Sequence, residues 1–268
     1  MCTAKRFAAA GLAISCAASA DAAHPTSKIV ASVDLSPPFS TRSSWHLTAS
    51  QGPEVSADNS PTGNSEPGVI TLCVSRDGAN SCQPDLTAPL GSGRGDHDYY
   101  SDAHFVDKIQ IVHPQGASAA PLLIMEVSSA RGGNGDQRVG IQALHYDPGQ
   151  DRFVSVYKYQ VARNTNDEIR YIPAGSLRGA IVSAEPTGDA PFGFWITVNQ
   201  SSPGSRYRPV LRFRSATHYG DGNPLAVIDS EMPNIQKRLG LWHPGKPLPL
   251  PVNGCAKPRL IRMELWCN

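Results

Sequence analysis

The sequence carries almost no net charge and few charged residues of either sign. It holds 24 Lys and Arg against 23 Asp and Glu, and charged residues make up 18% of the 268-residue chain. No basic stripe and no alternation of aromatic residues with arginines stands out, and these are the features that accompany nucleic-acid binding. Nucleic acid is therefore not an expected partner.

Motifs of common hydrolytic enzymes are also missing. The chain has neither a G-x-S-x-G nucleophile turn nor an H-E-x-x-H zinc motif. Asp and Glu are scattered, so no spacing reveals a carboxylate pair of the glycosidase type. We therefore predict a binding protein, and keep a secreted hydrolase as an alternative.

Long apolar runs are absent except at the N-terminus, where the pattern is that of an export signal. Lys5 and Arg6 precede an apolar segment over 7–20, which is too short to span a bilayer. Residues 1–20 are predicted to be a signal peptide, cleaved after the A-x-A site that ends at Ala20. The competing interpretation is a lipobox over 13–16, in which Cys16 is lipidated, although Ala13 replaces the usual Leu.

The chain has few cysteines, and those outside the N-terminal segment suit disulfide bonds in an oxidising compartment. Outside the N-terminal segment four cysteines are left, and they allow three pairings: Cys73, Cys82, Cys255 and Cys267. The two local pairs, Cys73–Cys82 and Cys255–Cys267, are favoured because short separations close easily. Zinc is the alternative, but no C-x-x-C spacing supports it.

The chain has many glycines and prolines, which favours short strands joined by turns. Residues 21–66 are rich in Ser, Pro and Thr and are predicted to be a flexible polar linker, with a short strand over 45–50.

Residues 67–268 are predicted to form one all-β domain, a propeller-like or barrel-like antiparallel array or a sandwich. The predicted strands are 69–75, 105–112, 121–129, 138–147, 152–161, 180–186, 192–200, 207–215, 225–230 and 260–267. One helix is predicted over 233–240, with Pro233 in its first turn and Gly240 at its end.

Two acidic-glycine loops could bind calcium. Asp221 and Asn223 flank Gly222, and Asn134 and Asp136 lie in a second loop. Carboxylate and amide oxygens on a tight backbone are ligands that calcium prefers, but the same sequences also form ordinary hairpin turns.

The segment 93–104 concentrates acidic residues and histidines. It could provide metal-binding or acid–base groups, or it could be an exposed polar loop. These residues are Asp96, His97, Asp98, Asp102 and His104.

Several loops carry Tyr, Arg, Trp and His, which are typical of protein recognition. The stretch RSATHYGDGNPLAVIDSEMPNIQKRLGLW, 214–242, resembles lysozyme-inhibitor-like immunity proteins. Bacteria keep these proteins in the periplasm against peptidoglycan hydrolases delivered by type IV secretion systems. The domain over 67–268 is also similar to periplasmic inhibitors of invertebrate-type lysozyme.

This resemblance implies a propeller-like β fold, calcium as a cofactor, and loops that block the cleft of a lysozyme-like hydrolase. Such inhibitors often carry an S-G-x-x-Y loop, which this chain matches over 202–207 only with one inserted residue. The residues expected to contact the hydrolase are Ser202, Ser205, Arg206 and Tyr207. The expected location is the periplasm, with membrane contact only through a lipid on Cys16. A cell-wall or glycan-binding module is the second alternative.

Overall fold

A computed structural model describes residues 27–267 except for 57, 59–62, 78–80, 85, 87–89, 91–101, 115–119, 132–136, 163–166, 189–192, 202–205 and 252–253. The described residues form thirteen strands, two α-helices and a short 3-10 helix, Gly175–Leu177. The strands are β1 (Lys28–Asp34), β2 (Trp45–Gln51), β3 (Ile70–Arg76), β4 (Phe105–Val112), β5 (Leu122–Ser128), β6 (Arg138–Asp147), β7 (Arg152–Ala162), β8 (Glu168–Tyr171), β9 (Ile181–Pro186), β10 (Phe194–Gln200), β11 (Arg208–Arg214), β12 (Pro258–Ile261) and β13 (Glu264–Cys267). The helices are α1 (Ser36–Phe39) and α2 (Val227–Arg238). Within this part of the chain no helix has the length and apolar character needed to cross a membrane.

The strands form antiparallel sheets in which sequence neighbours pair. Sheet one has the order β1-β2-β3, sheet two β4-β5-β6-β7, and sheet three β11-β10-β9-β8. Strands β12 and β13 form a separate hairpin. The all-β prediction is confirmed.

The three sheets are stacked in chain order and α2 covers the last of them. One apolar cluster joins sheet one to sheet two, a second joins sheet two to sheet three, and a third joins sheet three to α2. Strand β5 shows the consequence, because Leu123 faces the first cluster while Ile124 faces the second. A strand buried on both faces needs a continuous apolar run, and 121–125 provides it.

Sheet one corrects the prediction that residues 21–66 are a flexible linker. Strands β1 and β2 lie within that range, and Trp45, Leu47 and Ala49 are buried in the first cluster. Leu35 and Phe39 add further buried surface from the turn that contains α1. The apolar residues are few and widely spaced, so the segment is polar in composition although its inward positions are apolar.

A hydrogen-bonded aspartate fastens sheet one to sheet two. The Asp151 carboxylate accepts hydrogen bonds from the Ser43 hydroxyl at 2.6 Å, the Tyr146 hydroxyl at 2.7 Å and the Trp45 indole N–H at 3.1 Å. These bonds, led by that of Ser43, lower the pKa of Asp151 to about 2. The N-terminal strands are therefore tied to the domain by specific polar contacts as well as by burial.

Strand β7 departs from the regular alternation that its sequence predicts. Alternation along the strand predicts that Phe153, Ser155, Tyr157 and Tyr159 share one face, but the pairing register with β6 shifts between Ala143 and Leu144. Because the register skips Val156, burial moves from Phe153 to Val156. The Val156 carbonyl, freed from regular pairing, accepts the Tyr207 N–H at 3.0 Å.

Helix α2 corrects two predictions at once, a strand over 225–230 and a helix that begins at 233. The helix begins at Val227, and its first amides, Val227 and Ile228, donate to the Glu168 carboxylate of β8 at 2.5 and 3.2 Å. Because the capping residue lies far away in the sequence, no local sequence pattern predicts where this helix begins. Pro233 lies inside the helix, whereas Gly240 follows its end with a φ of 70°, as its predicted position requires.

Candidate functional site

Both predicted local disulfides are confirmed. Cys73 is bonded to Cys82 and Cys255 to Cys267. The first bond fixes the segment that follows β3, and the second ties β13 to the residues before β12. Cys16, the predicted lipidation site, lies outside the described residues.

The described residues of the predicted inhibitory segment differ in their exposure. Ser202 and Ser205 lie outside the described residues, and Arg206 is exposed. Tyr207 is buried between sheets two and three, where its hydroxyl donates to the Gly179 carbonyl at 2.8 Å. Burial raises the pKa of Tyr207 to about 12. The structure thus gives Tyr207 an anchoring role rather than the contact role expected from the sequence.

The Asp221–Asn223 loop is a turn that is bonded to the rest of the fold. The Asp221 carboxylate accepts the Asn223 N–H at 2.8 Å. The Asn223 side chain donates to the Ser230 hydroxyl at 2.9 Å and the Leu265 carbonyl at 2.8 Å, and its oxygen accepts the Leu225 N–H at 3.1 Å. Asn223 therefore connects α2 to β13.

Calcium binding stays a prediction. Asn134 and Asp136 lie outside the described residues. Among the residues that are described, no group of three or more His, Cys, Asp or Glu side chains has the geometry to hold a metal ion.

The candidate acid–base cluster over 93–104 is described only in part. Asp96, His97 and Asp98 lie outside the described residues, while Asp102 is exposed. His104 is buried, and its Nδ1 lies 2.6 Å from the Pro67 carbonyl. A buried ring held in this way supports the entry into β3 and is poorly placed to reach a substrate.

The most distinctive half-exposed surface lies on the side of sheet three that faces sheet two. Sheet two covers only part of it, and at the uncovered part four side chains of sheet three lie beside Tyr159 of β7, the edge strand of sheet two. We call this surface the arginine–tryptophan face: Tyr159 of β7, Glu185 of β9, Trp195 of β10, and Arg212 and Arg214 of β11. Trp195 and Tyr159 are each 37% exposed, and both arginines are exposed.

Strand pairing builds this face. Trp195 lies opposite Arg214 on one side and Glu185 on the other, and Arg212 lies opposite Thr197. Phe194 and Ile196 point the other way, into the third apolar cluster. Period-two alternation along β10 and β11 therefore separates core residues from the exposed aromatic and cationic residues.

Arg212 is the group of this face that is best placed to bind an anion. Its guanidinium carbon lies 4.7 Å from the centre of the Trp195 ring, a stacked geometry that orients its N–H groups. Within the described part of the chain neither Arg212 nor Arg214 has a hydrogen-bond or ion-pair partner. An oriented guanidinium group without a carboxylate partner among the described residues, with a second exposed arginine two positions along the strand, is suited to bind the carboxylates of another molecule.

The tyrosines beside the arginines remain neutral. Burial first, and then the Glu185 carboxylate, raise the pKa of Tyr159, and burial also raises the pKa of Tyr157. The Asn199 amide lies 3.4 Å from the Tyr157 hydroxyl and links β7 to β10. The arginine–tryptophan face is therefore cationic and aromatic, and the contact between Asn199 and Tyr157 below it holds β10 against β7.

Sequence reasoning missed this face. Both strands were predicted, at 192–200 and 207–215, and their outward positions hold Trp195, Arg212 and Arg214. Reading the outward residues of the two strands together would have found the cluster. Comparisons with protein families, with curated proteins and with solved structures found no match to this chain.

Proposed function

We propose that this protein is an exported inhibitor, without catalytic activity, that binds a lysozyme-like peptidoglycan hydrolase through the arginine–tryptophan face. It would act in the periplasm as an immunity protein. The observation that carries this proposal is Arg212, which is stacked on Trp195, exposed, and without a carboxylate partner among the described residues.

The spacing of the two arginines suits such a target. Arg212 and Arg214 share one face of β11, and residues two apart on a strand lie about 7 Å from each other. The paired catalytic carboxylates of glycosidases are separated by roughly 5–9.5 Å. Two guanidinium groups at this spacing could pair with both carboxylates and keep substrate away from them.

The aromatic residues would provide the remainder of the interface. Trp and Tyr beside Arg are the residue types that contribute most to protein–protein binding energy. Tyr207, anchored to Gly179 and Val156, fixes the start of β11, the strand that carries both exposed arginines. A face that is already ordered loses little entropy on binding, so tight association is physically reasonable.

A cell-wall turbidity assay tests the proposal. The mature chain, 21–268, is added to a panel of lysozyme-type hydrolases, including any encoded beside this gene. We expect clearing to stop at a near-stoichiometric ratio for at least one hydrolase. Clearing that continues across the panel would remove the support for inhibition, and clearing by the protein alone would identify it as a hydrolase.

Glycan binding is the second candidate, because Trp195 and Tyr159 expose aromatic rings on the same face. Sugar rings stack on such side chains, but Arg212 already covers one side of the Trp195 ring. Pull-down with purified peptidoglycan in the absence of hydrolase separates the two functions. Direct retention that is lost in Trp195→Ala would favour the glycan-binding module.

A further inference from the structure

The C-terminal part of the chain has a strong charge asymmetry. After Glu231 it contains six basic residues and a single acidic one, Glu264, although the whole chain has a net charge of only +1. The basic residues, all exposed, are Lys237, Arg238, Lys246, Lys257, Arg259 and Arg262. Glu264 is buried, and burial raises its pKa to about 7, so this carboxyl is only partly ionised at neutral pH.

Exposed apolar side chains accompany these cations. Leu241 is 44% exposed, Leu260 37% and Ile261 41%. Leu250 is also exposed. Isolated exposed leucines need no explanation, but three leucines and an isoleucine within one basic segment give that segment an amphipathic character.

The residues meet around the C-terminal end of α2. The Lys237 ammonium lies 4.0 Å from the Met263 sulfur, which brings the helix end to the tip of the β12–β13 hairpin. The Leu241 N–H donates to the Gln236 carbonyl at 2.8 Å, so Leu241 lies one helical turn from Gln236. Leu250 and Gln236 line the same groove of about 360 Å³.

A tight two-residue turn forms the tip of the β12–β13 hairpin. Arg262 and Met263 have φ angles of 51° and 74°, the positive values of a two-residue hairpin turn. A single strand had been predicted over 260–267, and this turn divides it. Leu260 and Ile261 point to opposite sides of the hairpin, and both are exposed, as are Arg259 and Arg262 on either side of them in the sequence.

We propose that this surface binds membranes that contain anionic lipids. We call it the C-terminal basic hairpin: Arg259, Leu260, Ile261 and Arg262, with Lys237 and Leu241 at the neighbouring end of α2. Lysine and arginine near a membrane attract anionic headgroups, and leucine and isoleucine gain free energy by entering the acyl boundary.

A soluble polyanion fits this surface less well than a bilayer. It would pair with the cations but would leave the three apolar side chains of this surface in water. Binding to a bilayer would also complement a lipid on Cys16, since one acyl chain alone gives only marginal membrane attachment. The proposal does not depend on the inhibitor function and uses a different surface.

Vesicle sedimentation tests the proposal with the mature chain, 21–268, which lacks Cys16. We expect it to bind vesicles of phosphatidylcholine and phosphatidylglycerol in equal parts, and not vesicles of phosphatidylcholine alone. The double variant Arg259→Gln/Arg262→Gln should lose about thirtyfold in affinity. Leu260→Asn/Ile261→Asn should lose about tenfold.

The matched control is Arg152→Gln/Ile29→Asn, which changes an exposed basic and an exposed apolar residue in the other sheets. It should bind like the unaltered chain, and thermal unfolding should confirm that all variants are folded. Equal binding to both kinds of vesicle, or to neither, would overturn the proposal. Retention on dextran sulfate without vesicle binding would overturn it in favour of a soluble polyanion, and undiminished binding by the Leu260/Ile261 variant would remove the apolar contribution.

Discussion

The two faces of sheet three are built by the same strands but have different neighbours. Phe194, Ile196 and Phe213 point towards α2 and are buried in an apolar cluster. Trp195, Arg212 and Arg214 alternate with them and point to the side that sheet two covers only in part. One face therefore stabilises the fold, and the other is available to a partner.

An arginine stacked on an aromatic ring occurs on each face, and their surroundings differ. Arg238 lies 4.4 Å from the centre of the Phe213 ring, and its Nε donates to the Asn234 side chain at 3.1 Å. Arg212 lies 4.7 Å from the centre of the Trp195 ring and has no such partner among the described residues. The two stacks therefore differ in the donors they leave available, and Arg212 is the one that we propose to contact a partner.

The largest expected difference between the faces is in stability. Phe194→Ala removes a fully buried ring and should lower the free energy of unfolding by about 3–5 kcal/mol. Trp195→Ala, one residue away on the other face, should cost about 1 kcal/mol or less because the ring is half-exposed. Urea unfolding measures both. Equal losses would contradict the assignment of the two faces.

The second-largest effect on stability is expected at Glu168, whose carboxylate caps α2. Glu168→Ala leaves the Val227 and Ile228 amides without their acceptor and removes the ion pair with Arg170, so it should cost about 2 kcal/mol. Glu185→Ala is the control on the opposite face and should change stability by about 0.5 kcal/mol or less. If Glu185→Ala proves the more damaging, the helix cap is less important than the contacts indicate.

A smaller difference should appear with pH. Burial, helped by Glu231 and Asp221, raises the pKa of Glu264 from 4.5 to about 7. A raised carboxyl pKa means that the unfolded chain ionises first. Stability should therefore fall by about 1–2 kcal/mol as the pH rises from 4.5 through 7.

The variant Glu264→Gln should remove this part of the pH dependence, measured by thermal unfolding across that range. Tyr157 and Tyr159 on the other side of sheet three have raised pKa values and stay neutral there, so they should contribute no slope. An unchanged pH profile in Glu264→Gln would show that this carboxyl ionises normally.

Much of the strand pattern could be predicted from the sequence. β4 and β6 begin and end at the predicted residues, because their apolar runs are bounded by turn residues. The local disulfides followed from short separations. In sheet one, β2 and β3 were predicted, but β1 and the attachment of 28–51 to the domain were missed, because only a few positions, such as Leu47 and Ala49, are both apolar and inward, and their burial depends on sheet two.

The candidate site could not be predicted because it depends on register and on partial covering. Arg212 reaches Trp195 through the pairing of β10 with β11, which includes a bulge between Val198 and Asn199. Its exposure depends on where sheet two ends. Neither property follows from local propensity, and both require contacts between distant segments.

The most direct test of the inhibitor account is the inhibition constant of a matched pair of charge reversals against a hydrolase that the unaltered chain blocks. Arg212→Glu should weaken inhibition by at least about a hundredfold, since it removes a charge pair and adds repulsion, while the melting temperature stays unchanged. Arg238→Glu, from the stack on the other face, should lower the melting temperature and leave inhibition intact. Undiminished inhibition by folded Arg212→Glu would contradict the account.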